Sequence, residues 1–535
     1  MDDIKRVAVD LSGRSAGLTR KWSSIIALAL VFLFFFFTAR EFSPSLSSTQ
    51  SPTIAKTEQQ VWDINVPSID RSRRFVVLVP ATDPSPSLCK FMLTAIALGY
   101  PSPIIINWGL DYHTVTKWDG GVNMPKITGI SKYLDSALRD DAHPDEKLYE
   151  DDIVLIADGY DIWFQLPPDI LLKRYHAINR RAKIRLLEEW PHASPMAMKQ
   201  TIVASAQKRC WPAKEAPMDT HCEELPESPL SADIYGPETE TNATSYEHWR
   251  PRFLNGGTYM GPAGDVRRMF RRALDKFENG IGQGYHLYSE QGITAEILGE
   301  QETWRNWQRR HNESGDAAET MIQDHFEFHI GLDYEQELSL PTCHSDFQGQ
   351  IVAMNNRTAI DTFSAELGII PTRVQEIPDD IKQGRNPLVD IMDPPLQWGD
   401  MPMYVDLFLK TIPVMQHHNA WKEGLKMRRV LWWDRTWFFA HLRPLLDFQL
   451  KPRPLVPLAS VKTAGGGTEA GGTIKYWAPS SDSLRRKPRL FRETAAAMLP
   501  EVEFDTICRN PEGDKDEAIK WWDEVFRDGK GPLKN

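Results

Sequence analysis

The chain has 535 residues, of which 41% are apolar and 25% charged, and a formal net charge of −11. The length suits one large domain or two unequal ones, and the composition is that of a globular protein. The acidic balance excludes the general basic footprint of a nucleic-acid binder. Eighteen Trp hint at stacking on carbohydrate or nucleotide, although Trp is equally core material.

Residues 22–39, WSSIIALALVFLFFFFTA, carry no charge between Lys21 and Arg40. About 18 residues is near the lower limit for crossing a bilayer. Lys5, Arg6, Arg14, Arg20 and Lys21 precede the run, and only Arg40 and Lys56 follow it closely. That asymmetry keeps the N-terminus (1–21) cytoplasmic and sends the body across. The run is long for a signal-peptide core and lacks a small-x-small exit site. A single-pass type II anchor is therefore expected, in the Golgi or ER membrane with the body in the lumen. Residues 40–73, rich in Ser, Thr, Pro and Gln, read as a flexible stem.

A lumenal body allows its cysteines to oxidise. Of the five, Cys210 and Cys222 bracket a short Pro-rich loop and are the expected pair; the odd count leaves at least one outside any internal bridge. Sequons at Asn242, Asn312 and Asn356 fit a glycosylated lumenal domain.

Order is expected from Arg74, where RFVVLVPAT reads as a strand. A helix follows over 87–98, then the apolar strand PIIINWG from Pro103, then a helix from Lys126 to Leu138 with apolar residues at helical spacing. Asp152–Phe164, DIVLIADGYDIWF, opens with a continuous apolar run, the pattern of a strand covered on both faces. The β-α-β-α-β order predicts an α/β fold with a mostly parallel central sheet. Asp158 and Asp161 would then sit at a strand's carboxyl end, where open α/β sheets place ligands. Two carboxylates there suit Mg²⁺ or Mn²⁺; the bland alternative is one helix cap and one ion pair.

Pro167–Ala182 reads as a helix and TIVASAQ as a strand leading to CWP at Cys210–Pro212. Residues 213–249 are polar and Pro-rich, a long surface loop. Asn255, Gly256 and Gly257 read as a tight turn, with a helix starting near Asp265. YSEQGITAEIL (288–298) reads as a helix presenting Glu290 and Gln291, and FEFHIGLDYEQEL as a strand around His329 and Asp333. His325 and His329 have zinc-ligand spacing but lie in a strand-like pattern, with the Glu one place off an HExxH arrangement. His344 and Asp346 form an HxD pair with no distal His and jelly-roll strands to complete an iron site. Late in the chain, TIPVMQHHNAWKEGLKMRR offers His417, His418, Asn419 and Lys422; the alternatives are a third metal ligand with a phosphate-neutralising Lys, or a surface His pair. The folded domain is expected over 74–450, with 451–535 a linker and helical tail.

In this order, DGYD (158–161), VASAQKRCWP (203–212), FLNGGTYMG (253–261), SEQ (289–291), LDY (332–334) and HHNA (417–420) resemble the glycosyltransferase domain of the procollagen-lysine hydroxylases and the related collagen galactosyltransferases. The resemblance spans roughly 74–426 and implies a GT-A-like nucleotide-sugar-binding fold. It implies that Asp158 and Asp161, with His417, hold Mn²⁺ (or Mg²⁺) on the diphosphate of a UDP-sugar. It implies that Asn255, Glu290 and Gln291 line the reacting centre, and that Lys126, Tyr160, Gly256, Asn419 and Lys422 belong to the donor site. The chain departs from that family in having NGG for NSG, SEQ for DDQ and HHNA for HGNG. One acid of the sugar site is thus lost, and no segment long enough for a hydroxylase domain follows.

The expectation is a metal-dependent hexosyltransferase that moves a sugar from a nucleotide donor to the hydroxyl of a glycan, protein or lipid acceptor. Homo-oligomerisation stays open. An inverting enzyme needs a carboxylate base, for which Glu290 is the candidate; a retaining enzyme does not, and the single acid of SEQ tilts towards retention. The rivals are an inactive lumenal binding module that kept the fold and a metal-dependent phosphate-ester hydrolase.

Overall fold

The structure, a computed structural model, describes residues 71–111, 123–193, 196, 198–212, 218–242, 244–284, 289–310, 326–345, 347–420, 427–463, 471–484, 486–510 and 519–533. The apolar run 22–39, the stem before residue 71, Asn312, His325, Asp346 and Lys422 lie outside these residues. No helix among the described residues is long and apolar enough to cross a membrane. The described elements belong to one compact unit, 68–464 with 470–535; a second grouping, 1–67 with 465–469, falls outside the described residues.

Fourteen strands are described: β1 Arg71–Pro80, β2 Ile104–Ile106, β3 Ile153–Ala157, β4 Ile162–Phe164, β5 Ile202–Gln207, β6 Phe253–Pro262, β7 Ile330–Asp333, β8 Ser339–Pro341, β9 Gly349–Ala353, β10 Pro402–Asp406, β11 Met415–His417, β12 Ala459–Thr463, β13 Gly472–Trp477 and β14 Arg489–Leu490. A nine-stranded sheet runs β12-β13-β1-β3-β6-β5-β7, with β2 paired to β1 and β14 to β2. The apolar runs are continuous because both faces are covered. Phe75, Val77, Val79, Ile153, Leu155 and Ala157 enter the core on one side; Val76, Leu78, Val154 and Ile156 enter the core on the other. At about 25 cal/mol per Å² of apolar surface removed from water, that two-sided burial is the main force holding β3 at the centre.

The expected helices occur, but those expected at 167–182 and 288–298 run on to Glu188 and Arg310. Pro86–Ala97 and Pro125–Ala137 begin with proline in the first turn, where its missing N–H costs nothing. Pro168–Glu188, Ala263–Gly282 and Glu290–Arg310 are the longer ones. The segment 218–252 is mostly irregular, as its composition predicts.

Three expectations need correction. The sheet is mixed rather than mostly parallel: β1 pairs in parallel with β13, β2 and β3, and β5 with β7, but β6 runs antiparallel to both β3 and β5. A parallel neighbour needs a crossover, usually helical; β6 is instead entered from the irregular 218–252 segment, which can return in either direction. Asn255–Gly257 is not a turn but lies inside β6, where the β5 register shifts between Ala204 and Ser205 to form a bulge. Finally, 451–535 is not merely a linker and helical tail. β12 and β13 extend the central sheet, with β13 parallel to β1, and β14 pairs with β2. Two short helices, Phe504–Cys508 and Trp521–Val525, do occur there.

Two disulfides join Cys210 to Cys222 and Cys89 to Cys508. The second, spanning 419 residues, ties the C-terminal segment to the helix Pro86–Ala97. Cys343 lies outside both bridges.

Candidate functional site

β3 ends at Ala157, and Asp158 follows at its carboxyl end. The Asp158 N–H donates to the Gly257 carbonyl (3.0 Å), which ties the DGYD loop to the bulge of β6. Tyr160 anchors the loop from the other side: its hydroxyl accepts from the N–H groups of Thr82 (3.0 Å) and Asp83 (2.9 Å). The chain then enters β4, which pairs antiparallel with β11 so that His417 stands opposite Ile162. The His418 N–H donates to the Asp161 carbonyl at 2.7 Å. A strand made more than 250 residues later thus delivers an imidazole beside Asp161 by ordinary ladder register.

His417 Nε2 lies 3.2 Å from Asp161 Oδ1 and 3.8 Å from Asp158 Oδ2. Ligand atoms of Asp158, Asp161 and His417 all fall within 4.8 Å of one another, close enough to hold one metal ion. The donor set, two carboxylates and one imidazole, fits a borderline-hard divalent ion. The other ring nitrogen, Nδ1, is 3.2 Å from Asn255 Oδ1. That oxygen also accepts from the Gly257 N–H (3.0 Å), while Asn255 Nδ2 donates to Gln207 Oε1 (2.9 Å), so the amide's orientation is set by its neighbours. The ring lies directly on Gly257, where a Cβ would collide with His417 Cε1 and Nδ1. That contact explains why glycine stands in the middle of a strand. Burial lowers the His417 pKa, but Asp161 and Asp158 outweigh it and raise the value above that of an ordinary histidine.

Lys126, at the start of the helix Pro125–Ala137, reaches into the same site. Its Nζ is 2.6 Å from Asp158 Oδ1, 2.7 Å from Glu290 Oε1 and 3.0 Å from the Gly256 carbonyl. Burial opposes the charge, but the two carboxylates outweigh it and keep the ammonium protonated. Glu290 is buried, and its Oε2 has no hydrogen-bond partner among the described residues. Gln291 Oε1 accepts from the Gly256 N–H (2.9 Å), and its Nε2 donates to the Trp211 carbonyl (3.2 Å). Asn419 Oδ1 accepts from the Cys343 N–H at 3.0 Å.

Lys126, Asp158, Tyr160, Asp161, Asn255, Gly256, Gly257, Glu290, Gln291, His417 and Asn419 line one cavity of about 360 Å³, within the usual range for a small-molecule site. Of the residues singled out in the sequence, Asp158, Tyr160, Asp161, Asn255, Gly256, Glu290, Gln291, His417, Asn419 and Lys126 are brought together. Lys422 lies outside the described residues. His418 does not line the cavity: it is fully buried, with its ring 4.3 Å from that of Trp163. Burial pulls its pKa down to about 3, so it is neutral. Asp333 of the LDY motif is structural. Its carboxylate accepts from the N–H groups of Glu337 (3.0 Å) and Leu338 (2.7 Å), holding the turn into β8, the other neighbour of β11. Sequence reasoning gave no role to Trp211, Asn107 and Asn123, which also line the cavity. Trp211 lay within a quoted motif; nothing local marks the two asparagines.

No family model and no curated protein matches the chain. A solved galactosyltransferase, LgtC, in complex with donor and acceptor sugar analogs, aligns with it at 10% identity, over 71% of this chain and 95% of that one, with a TM-score of 0.26. At that score the likeness decides nothing about function.

Proposed function

We propose that the protein is a metal-dependent glycosyltransferase of GT-A-like architecture that transfers a hexose from a nucleotide donor, taken to be a UDP-sugar, to an acceptor hydroxyl. The observation that carries this reading is the convergence of Asp158, Asp161 and His417 within 4.8 Å at the wall of a cavity that also holds Lys126, Glu290 and Gln291. A divalent cation held by the three would stabilise the negative charge that grows on a departing diphosphate. Lys126 adds a fixed positive charge at the same wall, without the reorganisation that water would need. Asn255 holds the His417 ring, and Gln291 holds the Gly256 backbone, so the site is pre-shaped before a donor arrives. Glu290 already accepts from Lys126. Its Oε1 orients that ammonium; the lean towards retention of anomeric configuration rests on SEQ carrying a single acid at the sugar site.

The two disulfides and the exposed sequon residues Asn242 and Asn356 support placing this domain in an oxidising, glycosylating lumen, behind an N-terminal anchor at 22–39.

The test is a thermal-shift titration with UDP and Mn²⁺, together with a screen of nucleotide sugars for Mn²⁺-dependent release of nucleotide. The expected result is metal-dependent stabilisation by UDP that disappears in Asp158→Ala and Asp161→Ala. Stabilisation that survives in both variants, or release of inorganic phosphate from simple esters with no acceptor, would overturn the reading.

A further inference from the structure

A second cavity, of about 470 Å³, opens beside the first. The two share Trp211, Asn255, Gln291 and Asn419, so these four side chains form a common wall. We propose that this second cavity is the acceptor site and that its acceptor is a saccharide, seated with a pyranose face on the Trp211 ring. The proposal rests on the transferase reading above and adds the chemical class of the acceptor.

The chemistry of the walls carries it. Trp211 is 45% exposed and lines both cavities, so it is open to a ligand in either. Its indole is held in place by the Arg209 guanidinium, 5.4 Å from the ring centroid, and the same guanidinium lies 5.4 Å from the Tyr246 ring. His344, which also lines the cavity, packs against Tyr246 at 5.3 Å. A rigid aromatic floor of this kind matches the C–H face of a sugar ring. The amides of Gln207 and Gln291 stand around it; each spends one N–H, on the Arg209 and Trp211 carbonyls, and keeps a second to offer a sugar hydroxyl, while Asn255 holds both amide oxygens.

The same wall argues against an amine-bearing acceptor. Arg209 is cationic, and no carboxylate lines this cavity among the described residues. An ammonium placed there would stand beside a guanidinium, and the described lining residues offer it no carboxylate. A neutral sugar, or one with an anionic substituent near Arg209, meets no such penalty. Position completes the case: a hydroxyl held over Trp211 faces the donor cavity directly across Asn255 and Gln291.

The experiment uses the full lumenal chain with UDP and Mn²⁺ present. The probes are methyl α- and β-glucoside, -galactoside and -mannoside, observed by saturation-transfer NMR, with 5-hydroxylysine as the competing hydroxyl-plus-ammonium probe. At least one glycoside is expected to receive saturation at its ring C–H protons. Its affinity is expected to fall at least fivefold in Trp211→Ala and to recover in Trp211→Phe, with each variant's melting temperature recorded to show that it is folded. Hydroxylysine should not displace it. The proposal is overturned if no glycoside binds, if Trp211→Ala binds as well as the parent, or if hydroxylysine alone competes. Failure of the donor reading has a different signature, the absence of any UDP–Mn²⁺ thermal shift in the parent protein. Glycoside binding that depends on Trp211 without that shift overturns the acceptor role and leaves a sugar-binding pocket.

Discussion

His417 Nδ1 lies 3.2 Å from Asn255 Oδ1, and this contact decides which ring nitrogen meets the two aspartates. An amide oxygen only accepts, so Nδ1 carries the proton, and Nε2 would offer its lone pair to a cation held with Asp158 and Asp161. Asn255→Ala should therefore weaken Mn²⁺ binding by about 10–100-fold, the usual cost of losing an outer-sphere partner of a metal-ligating histidine. Calorimetric titration of Mn²⁺ into the UDP-loaded protein measures it. An unchanged affinity in a folded Asn255→Ala variant would mean that the ring needs no such support.

The adjacent histidines predict opposite outcomes. His418 is buried and neutral, and neither ring nitrogen has a hydrogen-bond partner among the described residues. Its contribution is the contact with Trp163. His418→Phe should keep that packing, change stability by less than about 1.5 kcal/mol, and leave Mn²⁺ affinity intact. His417→Ala should abolish metal-dependent stabilisation. If His418→Phe instead loses the metal response while His417→Ala keeps it, the ligand has been assigned to the wrong residue.

Lys126 and Glu290 form a buried pair, with relative side-chain exposures of 7% and 6%. Lys126→Met leaves Glu290 without its partner, and breaking such a pair costs roughly 3–5 kcal/mol of stability. It should also slow transfer by about 10²–10³-fold, the scale for removing one preorganised charge from a reacting centre. Adding Glu290→Gln should return most of the stability and none of the rate. Denaturant unfolding and single-turnover transfer separate the two effects; recovery of rate in the double variant would show that Lys126 serves structure alone.

A pH effect is expected away from the site. Burial pushes the Asp265 carboxyl up, but His329 and Thr201 outweigh it and hold its pKa at about 2, below the ordinary 3.8. Thr201 Oγ1 donates to Oδ2 at 2.6 Å. A group depressed on folding stabilises the native state above its unfolded pKa, and that contribution is lost as pH falls from about 4 through about 2. The contribution should be about 2 kcal/mol, from a shift of nearly two units at roughly 1.4 kcal/mol each. The difference in unfolding free energy between the parent and Asp265→Asn should shrink by that amount between pH 5 and pH 2. A difference that stays constant over that range rejects the assignment.

Much of the local structure was legible in the sequence because it is set locally. Continuous apolar runs marked β1 and β3, and helical spacing placed the helices near 87 and 126 to within a residue of their starts. Asp158, Asp161 and His417 were singled out from residue type and motif order, and they do lie together. What was not legible depends on contacts between distant segments. Asn255-Gly256-Gly257 has the composition of a turn; only the pressure of the His417 ring on Gly257 shows that these residues serve a strand. The direction of β6 depends on the route of an irregular segment that carries no periodic signal. The hold of Lys126 on Asp158 and Glu290 joins three segments whose separate patterns say nothing of one another.

The hydrogen-bonding edges of β1 have a consequence for how the molecule is made. One edge is taken by β3; the other is shared by β2 and by β13, which comes from residues 472–477. A nascent chain that has emerged only to residue 450 carries Asp158, Asp161 and His417 yet lacks the β13 partner of Arg71–Arg74. The three arginines there guard the edge against pairing with another molecule. A protein trimmed at 450 for expression should therefore lose stability rather than aggregate, even though Asp158, Asp161 and His417 are all present. Synthesis in the cell faces the same interval, in which the sheet is closed only when residues 472–477 arrive.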